Sequence, residues 1–391
     1  MKCIFYSCCI GLLLMASCTR MALEPVDNDG KAPGPVSQPV VENRNGSVSI
    51  TFTPPADPDL AYVTASYTTR SGITRENKVS RYSNVVTLDG FPDEDNYVIT
   101  LQAVDKGENK STPVEVTAKP LKPVYRLAFD SLAAEADFGG INISFKNWTE
   151  ANLAIVVLTN DSLGNFVPTY THYTDLKSGN FSARGFDAVE RTFGIFVRDR
   201  WGNISDTMNV TVVPFFEQLL DRTKMKAYAL PTDAALGYSG TFAGLFDNRF
   251  DINSYYHSDG KTGMPQQFTF DMGVSAKLSR MVFYLKPDQA KYYDEHSPRI
   301  IELWGSESPN PDGSYDDTWT LLTTYTMEKP SGSAQGSPLT QADINFIEQG
   351  ITVPIPVDAP KVRHVRFKTL RNWGNTIYVY VFEIQMFGDP N

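Results

Sequence analysis

Hydrophobic and polar residues alternate with a period of two through much of this chain. Val48-Ser49-Ile50-Thr51-Phe52, Tyr97-Val98-Ile99-Thr100-Leu101 and Phe193-Gly194-Ile195-Phe196-Val197 are short runs of this kind, bounded by turn residues. Successive strand side chains point to opposite faces, so the pattern predicts antiparallel strands with one face on a core. The runs also recur. Gly46 to Phe52 (GSVSITF) returns as Gly139 to Phe145 (GGINISF), and Leu60-Ala61-Tyr62-Val63 as Leu153-Ala154-Ile155-Val156, both displaced by 93 residues. Asp105 to Ser111 (DKGENKS) returns as Asp199 to Ser205 (DRWGNIS), displaced by 94. These are two copies of one module.

A module of roughly 90 residues with about seven short strands suits an immunoglobulin-like or fibronectin type III sandwich. The copies span 33–120 and 121–214, with Pro120 and Pro214 closing them as stiff joints. The Asp-x-x-x-Asn segment of each copy reads as a structural hairpin turn between the last two strands. Trp148 and Trp201 belong to these modules, where packing inside the sandwich is expected. After Pro214 the pattern changes. Residues 216–227 form a short helix or a joint. Beyond them, Phe268 to Gly273, Met281 to Tyr284, Ile300 to Ser306, Val362 to Phe367 and Tyr380 to Phe387 are the strongest strands. Residues 328–350 read as a long loop with a helical turn near Asp343 to Phe346. Trp304 and Trp319 fall in strand-like contexts and are expected in the core. Region 217–391 is therefore expected to be an all-β jelly roll.

The first residues are of another kind. Lys2 precedes an apolar run, Ile4 to Met15, too short for a bilayer-spanning helix of about 20 residues. Leu14-Met15-Ala16-Ser17-Cys18 resembles the lipobox of bacterial lipoproteins, which implies removal of residues 1–17 and acylation of Cys18. Residues 18–32 read as a tether. All four cysteines lie within the first 18 positions, so the mature chain is expected to fold without disulfides. The formal net charge of −10 argues against nucleic acid as a partner, because no basic stripe exists to displace phosphate counterions. The lipid is expected to be the sole membrane anchor.

The terminal region resembles the discoidin-like (coagulation-factor type C, galactose-binding-like) domains. The resemblance lies in Phe246 to Asp251, Tyr255-Tyr256-His257-Ser258, Phe268 to Gly273, Glu302 to Ser306, Trp319 to Leu322 and Glu383-Ile384. Asn248 stands where the usual residue is Gly, and Tyr255 or Tyr256 where it is Trp. The whole order, with Asp57 to Val63 and Val104-Asp105 in the first module, is similar to multidomain surface lipoproteins of polysaccharide-utilisation systems. That likeness implies a cell-surface, outer-membrane protein that binds a glycan without catalysis, beside a neighbouring glycan-uptake complex. A protein partner for the terminal domain is the alternative.

The residues offer little catalytic chemistry. Histidines 172, 257, 296 and 364 are scattered, with no His-Glu-x-x-His, Gly-x-Ser-x-Gly or phosphate-loop spacing. Asp247, Asn248, Asp251, Asn253 and Ser254 crowd oxygen-bearing side chains into one loop, as calcium requires. The discoidin resemblance adds Glu383 from the last strand, so one structural Ca²⁺ is expected. Sugar rings present C–H groups to aromatic faces and hydroxyls to polar side chains. Arg371-Asn372-Trp373 is the leading cluster on that basis, with Trp373 as its exposed platform; Tyr255, Tyr256, His257, Tyr292, Tyr293 and His296 accompany it. Asp130-Ser131-Leu132, Asp161-Ser162-Leu163 and Asp206-Thr207-Met208 resemble the O-glycosylation tripeptides of some bacteria.

The anchor expectation rests on Cys18. Cys18→Ala should move the protein from the membrane fraction to the soluble one. Retention after a salt wash would contradict acylation at this site.

Overall fold

The computed structural model describes residues 30–391, and the expected lipobox and Cys18 lie outside them. The all-β expectation holds. In the first module, strands Ser37–Arg44, Ser47–Thr53 and Val85–Asp89 form one antiparallel sheet. Thr74–Ser80, Leu60–Thr68, Tyr97–Asp105 and Val114–Ala118 form the other. Their inner faces bury Val48, Ile50, Val63, Ile99 and Leu101 around the stacked rings of Tyr67 and Phe91, 3.8 Å between centroids. This is the sandwich predicted from period-two runs.

The second module repeats it. Ala133–Asp137, Gly140–Lys146 and Ser178–Ala183 form three strands; Phe166–Thr174, Leu153–Asn160, Arg191–Asp199 and Met208–Val212 form four. Gly46 and Gly139, the repeat partners, both have φ of 63°, a left-handed value that favours glycine in a tight hairpin. In the second turn, Asp199 accepts from the Asn203 backbone N–H at 2.9 Å and from its amide at 2.8 Å; Asp105 does the same to Asn109. The Asp carboxylate is the pivot of each hairpin. Among the described residues, 30–127 together with the 199–204 turn form one compact unit, and 128–198 with 205–391 form a second.

Three details depart from the sequence reading. Trp148 and Trp201 are 51% and 38% exposed and are not sandwich core; Trp201 stacks under the Arg200 guanidinium at 4.0 Å. A helix, Val124–Asp130, follows Pro123, whose carbonyl accepts its first N–H bonds. Trp319 is buried as expected, whereas Trp304 is half-buried with its indole N–H on Glu302 at 2.9 Å.

The terminal region is built on one strand of 19 residues, Gln266–Tyr284. Its first half pairs with Lys361–Asn372 and its second with Glu383–Asp389 and Ile351–Pro354. Gly273, at φ 73°, lets the strand bend between the two pairings, which is why the sequence reads as two strands there. Pro298–Ser306 and Thr320–Thr326 extend the sheet beyond Lys361–Asn372. The enclosed core includes Phe268, Phe270, Phe283, Leu303, Val365 and Phe367. The predicted helical turn is the helix Gln341–Glu348, started by a Thr340–Asp343 capping box. Residues 216–227 form no α-helix: two-residue strands at Gln218–Leu219 and Lys226–Ala227 flank a single 3-10 turn, Arg222–Lys224.

Glu217 joins the second module to the terminal domain. Its carboxylate accepts from Arg184 at 2.8 Å on one side and from Ser279 at 2.5 Å and Arg280 at 3.1 Å on the other. Burial opposes its ionisation, but Arg280, Ser279 and Arg184 together hold its pKa below the usual range.

Candidate functional site

Loops at one end of the terminal domain enclose a cleft of about 380 Å³, lined mainly by aromatic rings. Tyr378, Tyr380 and Phe382 alternate along the chain and share one face of it, the spacing a strand imposes. Tyr380 and Phe382 are buried, and Tyr255 stacks on Phe382 at 5.0 Å and 16°. Tyr238, 62% exposed, meets Tyr378 edge-on at 5.3 Å. The Tyr255 hydroxyl donates to the Tyr238 carbonyl at 2.9 Å, tying the two loops together. His257 and His296 complete the cleft with ring centroids 5.3 Å apart.

Its backbone is unusual. Tyr238, Ser239, Tyr293, Glu295 and Asn375 all lie in the left-handed region without being glycine, on the three loops that surround the cleft. Such conformations cost roughly 1–3 kcal/mol each and persist where surrounding contacts enforce them. In the loop that carries Asn375, Asn372 does the enforcing. Buried at 1% exposure, its amide donates to the Thr376 and Tyr378 carbonyls at 2.9 and 2.7 Å, while its oxygen accepts from the Thr376 N–H at 2.9 Å. Gly374 lies so close to Glu295 that a Cβ would stand 2.4 Å from its carbonyl oxygen.

The polar chemistry of the cleft is neutral. Burial lowers the pKa of His257, and burial together with His257 lowers that of His296. Both rings are thus neutral near pH 7. His257 Nδ1 lies 2.7 Å from the Ser258 carbonyl, which assigns its proton to Nδ1 and makes Nε2 an acceptor. Of the rim charges, Lys286 pairs with Asp288 at 3.9 Å and Glu295 with Lys291. The arrangement offers aromatic faces and neutral hydrogen-bonding edges to a ligand.

The structure divides the sequence-derived candidates. Tyr255, His257 and His296 line the cleft. Trp373 is not an exposed platform: it is 3% exposed, edge-on to Tyr293 at 5.1 Å, with the Arg299 guanidinium 4.3 Å above its ring. Tyr256, Tyr292 and Tyr293 are also core residues, at 1%, 8% and 1% exposure. Tyr256 packs on Phe268 at 4.4 Å, and the Tyr293 hydroxyl donates to the Asp343 carbonyl at 3.0 Å. Arg371, exposed, donates to Asn375 at 3.1 Å, and neither it nor the buried Asn372 lines the cleft. The sequence reading missed Tyr238, Tyr378, Tyr380 and Phe382. The alternation of the last three was its available signal.

Beside the cleft lies the carboxylate loop. Glu383 is fully buried; one oxygen accepts from the Asn248 N–H at 2.9 Å and the other has no partner. Burial pushes its pKa up to about 7, and the Asp247 charge adds to the rise. Ser254 donates to Asp247. Asp247, Asn248, Ser254 and Glu383 therefore converge. Asp251 instead holds Arg249 at 2.9 Å and the Asn253 N–H at 2.8 Å, so it does not join them. Among the described residues no cluster of three or more His, Cys, Asp or Glu side chains is placed to hold a metal. A cation here would combine two carboxylates with loop carbonyls, and the orphaned Glu383 oxygen fits that donor set.

Two sandwich modules followed by a jelly roll with an aromatic cleft define a modular all-β protein. Three family models, each described as a domain of unknown function, match it: DUF4959 over residues 33–120, DUF5126 over 121–223 and DUF5000 over 246–388. The SusE-like protein BT2857 is 31% identical, covering 69% of this chain and 100% of its own, with a TM-score of 0.44. The chain belongs to the SusE-like family. It is also similar to the family 32 CBM of C. perfringens NanJ, solved in complex with galactose (15% identity, 44% of this chain, 98% of that one, TM-score 0.31). A two-domain fibronectin type III segment of chicken tenascin is 14% identical over 46% of this chain and 99% of its own, at a TM-score of 0.22. No curated protein matches.

The burial of Trp373 yields a prediction. Truncating a buried Trp removes packing and leaves a cavity, at a cost of about 3–5 kcal/mol. Trp373→Ala should lower stability by that amount in denaturant unfolding. A loss under about 1 kcal/mol would place the ring at the surface after all.

Proposed function

We propose that this protein is a non-catalytic, lipid-anchored surface protein of the outer membrane that captures uncharged glycan in the cleft of its terminal domain. The observation that carries the reading is the cleft itself: Tyr238, Tyr255 and Tyr378 around the neutral His257–His296 pair. A pyranose needs an apolar face for its axial C–H groups and directed donors and acceptors for its hydroxyls, and this lining supplies both. Paired rim charges match a neutral ligand. Membership of the SusE-like family agrees with the glycan capture that the sequence resemblance implies, and with delivery to a neighbouring uptake complex. The two sandwich modules serve as spacers from the lipid at Cys18.

We also propose one structural Ca²⁺ held by Asp247, Glu383 and carbonyls of the 247–254 loop. Bound there, the ion supplies positive charge that keeps Glu383 ionised. Without it, the raised Glu383 pKa makes ionisation costly to the fold. Stability from this group is then greatest below the ordinary carboxylate value of 4.5 and is lost as pH rises toward about 7. An ion that binds only the folded state stabilises it by mass action. At pH 7.5, millimolar calcium should raise the melting temperature of the wild-type chain and leave Glu383→Gln unchanged. Superimposable wild-type curves with calcium and with chelator would remove the site.

The functional test is a glycan array probed with the full chain, followed by titration of the best ligand. Losing an aromatic hot spot typically costs about 2 kcal/mol or more, roughly 25-fold in affinity. Tyr238→Ala should weaken binding by that factor without destabilising the protein, since the ring is largely exposed. Failure of the wild-type chain to bind any glycan on the array would overturn the reading.

A further inference from the structure

The first module carries an exposed aromatic that its fold does not need. Tyr82 is 83% exposed. Its ring is nonetheless held in place. The Arg81 guanidinium lies 4.8 Å from the ring centroid and donates to the Tyr82 hydroxyl at 2.7 Å. Arg81 is held in turn by the Pro58 carbonyl at 3.2 Å, and its backbone N–H by the Ala61 carbonyl at 3.2 Å. The Asp57-Pro58-Asp59-Leu60 turn, closed by the Leu60 N–H on the Asp57 carbonyl at 3.3 Å, thus fixes an arginine that orders a tyrosine.

Between this turn and the ring lies an open depression of about 380 Å³, lined by Pro55, Ala56, Asp57, Pro58, Arg81 and Tyr82. We infer that it is a second carbohydrate platform, one that takes an uncharged pyranosyl unit within a glycan chain. For the class of ligand this rests on the glycan-binding reading of the terminal cleft. The chemistry is its own. Tyr82 gives an aromatic face with little rotamer freedom left to lose, because Arg81 already restrains it. Asp57 and Arg81 supply an acceptor and a donor of opposite charge, which suits hydroxyls better than an anionic group. The depression is open rather than enclosed, so a chain can run through it and an internal unit can dock. A second weak contact on the same polysaccharide raises avidity without changing binding to short oligosaccharides.

The test is affinity electrophoresis of the full chain in native gels containing uncharged polysaccharides: mannan, dextran, starch, xyloglucan and arabinogalactan. In a gel that retards the wild type, Tyr82→Ala should weaken retardation about fivefold or more. Tyr82→Phe, which keeps the ring, should retain most of it. Tyr238→Ala should leave a residual retardation that the Tyr82→Ala, Tyr238→Ala double variant loses. Tyr82→Ala migrating as wild type, with Tyr238→Ala abolishing retardation, would overturn the platform and leave the cleft standing. No retardation of the wild type in any gel would overturn both.

Discussion

The cleft depends on one buried amide. Asn372 sits at the end of a central strand with nearly no exposure, where an unpaired amide would be costly, and it satisfies its bonds by folding residues 373–378 back on itself. That fold has two consequences. It drives Trp373 inward beneath Arg299, and it brings Thr376 to within 2.7 Å of His296 Nδ1 and Tyr378 against Tyr238. A polar group in the core thereby decides which aromatics face solvent.

The rest of the site follows from the same division between packed and open faces. Tyr256 and Tyr255 are neighbours in sequence; the first is buried on Phe268, and the second stacks on Phe382 at the cleft. The core supplies rigidity, and strained left-handed residues on three loops are its local cost. Rigid aromatics lose little entropy when a ligand docks, so pre-organisation favours affinity. The titration of the cleft points the same way. His257 and His296 are held neutral by burial, below their ordinary value of 6.5. The stability this neutrality supports is complete above pH 6.5 and declines as pH falls below it, because the unfolded chain then takes up protons that the folded cleft resists.

Much of the fold was legible in the sequence because strand alternation and the 93-residue repeat are local signals that packing only reinforces. The bend at Gly273 was legible as a break, though not as a bend within one strand. The site was less so. Trp373 lies in a polar segment, Arg371 to Asn375, whose composition points to solvent; its backbone N–H on the Ser297 carbonyl at 2.9 Å and its ring between Tyr293 and Arg299 hold it inside, beside the turn that Asn372 closes. Tyr292 and Tyr293 read as loop aromatics, yet both are buried. Trp148 and Trp201 erred in the other direction, since membership of a sandwich does not assign a residue to its inner face. Loop burial is set by contacts distant in sequence, which periodicity does not encode.

The central claim is that sugar occupies the cleft between Tyr238, Tyr255 and Tyr378. A crystal structure of the full chain with its best array ligand tests this most directly. The account predicts a pyranose ring lying on one of these aromatic faces, with a hydroxyl on His257 Nε2. A sugar ordered on the terminal domain outside this cleft, with the cleft filled by water alone, would contradict it.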